Sequence, residues 1–196
     1  GLGFERYYHN DSDTTDYDFT INTQSSRVGL FDHDFAGPTL ALEDGEMVDA
    51  SVQGYVQASA SCKLKIEIPH LDDFRDSSDV IINRAELFIP DDEMYDGRFA
   101  RQTQLFVLTE NDEGEFVGLP DQLSSLVNIG GSYNAVEGAY VFNISKFVQQ
   151  YLTGLQPSSN LYLVSNNASV SVSRVALNGP ESSSDNNMRL ILTYSR

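Results

Sequence analysis

The sequence is short of several things: it has one cysteine, no tryptophan, three histidines and only 12 basic residues among 196. A single cysteine excludes an internal disulfide and leaves the compartment open, since it neither demands nor forbids the cell exterior. The missing tryptophan removes the best platform for stacking on a sugar or a cation, leaving that task to 11 Phe and 10 Tyr. With 29 acidic residues the net charge is −17. Such a surface repels phosphate backbones and anionic lipid, so nucleic acid is not an expected partner. No apolar run approaches the ~20 residues that a membrane-spanning helix needs. No basic, apolar leader opens the chain at Gly1.

What is present suits one large all-β domain. Forty per cent of the residues are hydrophobic, enough to fill a core. Short alternating segments follow one another: "DYDFTIN", "KLKIEIP", "VIINRAELFIP", "TQLFVLT", "NLYLVS", "SVSVSRVALN" and "MRLILTY". Turn-forming stretches such as "PDDEMYDG", "ENDEGE", "NIGGSYN" and "NGPESSSDNN" separate them. This spacing predicts an antiparallel sandwich, not βαβ units. Residues 1–14 read as a polar, acidic, aperiodic lead-in, and 15–196 as a single β-sandwich domain. Both faces of "VIINRAELFIP" are apolar enough for a strand covered on both sides. In "SVSVSRVALN", Val170 and Val172 are out of phase with Val175 and Leu177, which predicts a β-bulge near Ser173–Arg174.

One segment changes period. "YVFNI" alternates like a strand, whereas Ile144, Phe147, Val148, Tyr151 and Leu152 repeat like one face of a helix. Asn143 or Ser145 can cap its start and Gly154 its end. Two turns are unstable alone, so a helix over 145–152 must dock, and we read it as a plug closing one end of the sandwich.

These motifs resemble, in order and spacing, an uncharacterised lipoprotein family of Bacteroides-type bacteria whose domain has no known function. The resemblance rests on "YVQASASCKLKIEIPHL", "VIINRAELFIP", "YVFNISKFVQQYLTG", "SRVALNGP" and "MRLILTYS", over roughly residues 50–196, with an echo in "SSRVGLFDHDFAG". The ending is also similar to jelly-roll modules of secreted bacterial surface proteins and carbohydrate-active enzymes. The resemblance implies a jelly-roll-like antiparallel β-sandwich in the cell envelope, surface-exposed or periplasmic. It also implies anchoring to the outer membrane only through an N-terminal lipid that this chain does not carry. It brings no activity and no catalytic residues. An immunoglobulin-like topology is the alternative, disfavoured by length.

Chemistry is sparse. Cys62 is in phase with Leu64, Ile66 and Ile68, as a small core residue would be. Ser132 in "GGSYN" lacks the second glycine of a nucleophile elbow, and His9 and His70 read as surface residues; His33 falls in the segment discussed next. Glu67 and Glu86 are the carboxylates available for glycoside hydrolysis, but Glu86 shares a face with Arg84, and a cross-strand ion pair explains such charges. From Asp32, "DHDFAGPTLALE" places acidic residues at positions 1, 3 and 12 and glycine at 6, like an EF-hand loop. Ala36 and Pro38 spoil that motif, leaving Asp32 and Asp34 as candidate ligands of a looser Ca²⁺ site. Acidic turns at Asp91, Asp92 and Asp96 and at Asp112 and Glu113 are lesser cation candidates; solvation explains them by default. No cofactor is expected otherwise. The expected role is a non-catalytic binding or display module whose partner is a glycan or a neighbouring envelope protein. The alternatives are a purely structural assembly domain and, more distantly, a glycosidase.

Overall fold

The computed structural model describes residues 3–10, 13–20, 47–59, 62–75, 80–92, 101–123, 128–166 and 171–196, the first two stretches as backbone. The chain divides into two compact units, Gly1–Asp34 and Phe35–Arg196. The first contains an antiparallel hairpin of β1 (Gly3–Asn10) and β2 (Asp13–Thr20), in register from Gly3↔Thr20 to Asn10↔Asp13. Strand β1 thus lies within the stretch whose sequence lacks periodicity. Its register sets Phe4 opposite Phe19 and Arg6 opposite Tyr17, so the alternating part of β2 pairs with a strand that shows no such pattern.

In the second unit the strands are β3 (Gln53–Gln57), β4 (Leu64–Ile66), β5 (Ile81–Pro90), β6 (Leu105–Glu110), β7 (Phe116–Gly118), β8 (Gly130–Asn134), β9 (Ala139–Asn143), β10 (Leu161–Ser165), β11 (Arg174–Asn178) and β12 (Arg189–Ser195). A short 3₁₀ segment, Pro69–Phe74, follows β4, and the helix α1 spans Ser145–Leu152. One sheet has the order β4-β10-β6-β7 and the other β12-β5-β9-β8, with all pairs antiparallel. The β3-β11 ribbon joins the second sheet through the Asp91↔Leu177 bridge at the end of β5. Both β11 and β12 run antiparallel to β5, and Asp91 and Asp92 donate their N–H groups to opposite flanks, to Gly138 and Ala176. The two strands are therefore one line along β5, interrupted by residues 179–188. The resulting order, β3, then β11 and β12, β5, β9 and β8 against β4, β10, β6 and β7, is jelly-roll-like.

The core lies between the sheets. Leu87 and Ile89 of β5, Tyr140 and Phe142 of β9, Leu105 and Val107 of β6, and Leu161 and Leu163 of β10 are all at most 2 % exposed. Period-two alternation turns these residues inward and their neighbours outward. The expectation that β5 is covered on both sides does not hold. Ile81 is 61 % exposed, and Phe88 is half-buried beneath the Arg189 guanidinium, 4.0 Å from its ring. Apolar residues on both faces therefore reflect the outer shielding of Phe88 by a charged side chain and not a second layer.

The bulge expected near Ser173–Arg174 is also absent. Val172 is 70 % exposed, Ser173 is buried, and β11 starts only at Arg174. The Ser173 carbonyl accepts from Ala58 N–H and from Gln102 Nε2, which fixes this stretch by hydrogen bonds without burying Val172. "GGSYN", read as a turn, is strand β8. Gly130 and Gly131 have φ of +90° and +85°, and a Cβ on Gly130 would lie 2.1 Å from the Val141 carbonyl oxygen. The glycines allow β8 to press against β9 through an irregular register.

Helix α1 closes one end of the sandwich, as its pattern predicts. Phe147 and Val148 are fully buried and Tyr151 nearly so. The N–H groups of Ala85 and Ile82 on β5 donate to Ser145 Oγ and Gln149 Oε1, each at 2.8 Å, so the helix extends the hydrogen bonding of the sheet. Asn143 does accept from Ser145 N–H at 3.2 Å, but the principal cap comes from elsewhere. Buried Asp121 accepts from the N–H groups of Lys146 and Phe147, both at 2.8 Å. A carboxylate there satisfies two orphan donors and complements the helix dipole. At the other terminus Gly154 has φ +78°, Gly154 N–H donates to the Tyr151 carbonyl and Leu155 N–H to that of Gln150. This is a Schellman ending, which requires the left-handed conformation at Gly154.

Candidate functional site

At the other end of β5 and β9 the chain leaves a polar pocket of about 260 Å³. Among the described residues, three segments build it. Strand β5 ends at Asp91, whose N–H donates to the Gly138 carbonyl at 2.9 Å. The β8–β9 turn, residues 135–138, forms a second wall and is set by Val136 N–H donating to Asn134 Oδ1. The third comes from Asn178 at the end of β11 and from Asn186 in the interrupting loop. That loop is rich in serine and folds on its own side chains. Ser184 N–H donates to Ser182 Oγ and Asn186 N–H to Ser184 Oγ, at 3.3 and 3.2 Å. Asn178 Nδ2 joins two walls, donating to the carbonyls of Asp91 at 3.1 Å and Asn186 at 3.4 Å.

Asp91 is the charged floor of the pocket, and its side chain is only 6 % exposed. Arg101 Nη2 lies 2.8 Å from Asp91 Oδ2, yet that oxygen has no well-aligned hydrogen bond. The contact is therefore an ion pair by distance and not a bidentate fork. Burial pushes the Asp91 carboxyl above its ordinary value, while the Arg101 charge and the Tyr133 hydroxyl draw it partly back. Behind it the Arg101 guanidinium stacks 4.4 Å from the Tyr133 ring centre, and Tyr133 packs 5.3 Å from Tyr140. The Tyr140 hydroxyl donates to the Gln102 carbonyl, and Gln102 Nε2 donates to that of Ser173. A buried polar network thus backs the pocket and holds its floor in place.

The residues singled out by sequence are scattered. Asp32, Asp34, His33 and Asp96 lie outside the described residues. His9 is in β1, and His70 is exposed with Nδ1 3.5 Å from Asp73 Oδ2. Exposed Ser132 sits within β8, bridged to Gln104, and not on a strand-to-helix elbow. Glu67 and Glu86 occupy outward positions beside β4 and on β5, in different sheets with the core between them, so they cannot form an acid/base pair. Their ion pairs are with Lys65 at 2.5 Å and Arg84 at 2.6 Å, each two residues away along the chain and not across strands. Cys62 is half-buried with Sγ 3.7 Å from the Tyr55 carbonyl. Asp112 and Glu113 are exposed in a turn organised by Asn111 Oδ1.

Asp91 departs from the reading of its segment as a solvated acidic turn: it is buried and ion-paired. The Arg101, Asn178 and Asn186 contributions carried no signal in the sequence, because each depends on a contact between distant segments. Among the described residues no group of three or more His, Cys, Asp or Glu side chains is placed to hold a metal ion. Nor is any described helix long and apolar enough to cross a membrane. Comparison with known proteins finds no match for this chain among family models, curated proteins or solved structures.

Proposed function

We propose that this chain is a non-catalytic binding module of a cell-envelope lipoprotein, with a glycan as its ligand. The observation that carries the reading is the polar pocket at the loop end, where carboxylate and carboxamide groups are held by protein partners around one open space. Prearranged donors and acceptors of this kind suit recognition of hydroxyl groups. The envelope setting rests on the family resemblance alone. The net charge of −17 supports the exclusion of nucleic acid as partner. That Asp91 is engaged by Arg101 supports binding over proton transfer.

A second reading, a neighbouring envelope protein as ligand, is favoured by the outer face of the β4-β10-β6-β7 sheet. There Phe106 and Phe116 are 38 % and 44 % exposed beside half-buried Leu108 and Val164. A glycan array with the whole chain separates the two: the glycan reading expects defined hits, and a blank array removes it. Turnover of a chromogenic glycoside that is lost in Asp91→Asn would overturn the non-catalytic part.

A further inference from the structure

The pocket's size and charge narrow its ligand class. We infer that it takes one uncharged sugar ring, the terminal unit of a glycan, and that it rejects acidic sugars; this rests on the glycan reading above. At about 260 Å³ the space falls below the ~300–1,000 Å³ typical of sites for drug-sized ligands, so a single pyranose fits and two do not. The floor at Asp91 and the walls at residues 135–138 and at Asn178 and Asn186 enclose a terminal unit better than an internal stretch of chain.

Polarity gives the second argument. Asp91 is more than nine-tenths buried: its Oδ2 is turned to Arg101, and its Oδ1 lies beside Gly138 on the pocket wall. The oxygen on the pocket side is an acceptor with lone pairs to spare, and a ligand hydroxyl is a donor that suits it. Glu137 and the Asn186 amide add an acceptor and a donor at the rim, and Ala135 and Val136 offer a small apolar surface to ring C–H groups.

Charge gives the third. Among the described residues two carboxylates, Asp91 and Glu137, line the space, while the cations nearest it are already engaged: Arg101 stands behind Asp91 as its ion partner, and Arg189 Nη1 donates to Asn186 Oδ1 at 3.4 Å. A uronate or sialate carboxylate would meet like charge in a partly desolvated site, on a chain whose net charge is −17. Among the described residues no aromatic side chain lines the pocket, so binding without their stacking is weak, in the range read with millimolar probes.

The test is ligand-observed NMR on the whole chain with millimolar galactose, glucose, mannose and N-acetylglucosamine, against glucuronate and N-acetylneuraminate. A reducing-end-linked disaccharide of any hit shows whether a terminal unit binds as the free sugar does. Glu137→Ala and Asn186→Ala remove rim side chains, and their melting temperatures should stay near that of the unaltered chain. The expected result is binding of at least one neutral sugar, none of the acidic ones, and at least tenfold weakening in both variants. Acidic sugars binding as well as neutral ones, or neutral binding indifferent to both substitutions, overturns the inference while leaving the glycan reading in place. Failure of every sugar, including the oligosaccharides of the array, removes the glycan reading and this inference with it.

Discussion

The two ends of β5 solve opposite problems. At its start, α1 lays Phe147, Val148 and Tyr151 on the core, and its first N–H groups find acceptors in Asp121 and Asn143. The Tyr151 hydroxyl donates to Asp72 Oδ1 at 2.6 Å, tying the helix to the 3₁₀ segment. About 30 Å away, at ~3.3 Å per residue, β5 ends in a buried carboxylate beside an open polar space. One end is closed by apolar packing and a helix capped at both termini. The other retains a charge that burial penalises, which is where binding function is expected to cost stability. Substitutions at the helix end should therefore change stability strongly, and those at the pocket end should change it weakly while altering ligand binding or pH response.

The sharpest way to break this contrast is at the helix core. Phe147 is fully buried, and Phe147→Ala should cost ~3–5 kcal/mol of unfolding free energy in urea denaturation. A loss below ~1 kcal/mol would mean that α1 contributes little to closing the sandwich.

Asp121 comes next. Its carboxylate accepts two helix N–H groups and is 3 % exposed, so Asp121→Ala should cost about 2 kcal/mol. Asp121→Asn keeps one oxygen acceptor and should lose roughly half as much. Equal losses would point to charge, and not the number of acceptors, as the source of the cap's strength.

These two residues also mark the limit of what could be read from sequence. Phe147 was legible because a helical stripe of apolar residues is a local, periodic signal; the 145–152 bounds follow from it. Asp121 was not, because it reaches the helix from a turn 25 residues earlier, and nothing in "LPDQL" announces that contact. The same division holds in the sheets. Strands with clean alternation, such as β4 and β6, were visible, whereas β8 hid behind two glycines that read as a turn. At the pocket, Asp91 stood out only as one acid among several in "PDDEMYDG". Its burial depends on Arg101, Gly138 and Asn178, whose approach is a property of the jelly-roll order and not of any local pattern.

The C-terminal end of α1 gives a smaller effect. Gly154 holds φ +78°, and Gly154→Ala should cost ~1 kcal/mol by forcing a side chain into the left-handed region. Gly154→Asn should cost less, since asparagine tolerates that region better. Thermal unfolding of the pair reads the difference. No difference between them would show that the Schellman ending relaxes without penalty.

The smallest effect should appear at the pocket, as a slope with pH and not a fixed loss. Asp91 has a carboxyl pKa raised above the ordinary value of 3.8, first by burial, with Asp92 adding to the rise and Arg101 and Tyr133 opposing it. Between 3.8 and that raised value the folded chain holds more proton at this site than the unfolded chain does. Stability from this group therefore falls as pH rises through that window and is flat on either side. Asp91→Asn removes the titration while keeping the shape. Relative to the variant, the unaltered chain should lose stability as pH climbs from below 3.8 through the window, then hold a constant offset. Urea midpoints for both chains at closely spaced pH values, compared as differences, cancel the titration of the other carboxylates. If the unaltered chain instead gains on the variant as pH rises, attraction to Arg101 outweighs burial, and the pocket floor is as well satisfied as the helix end.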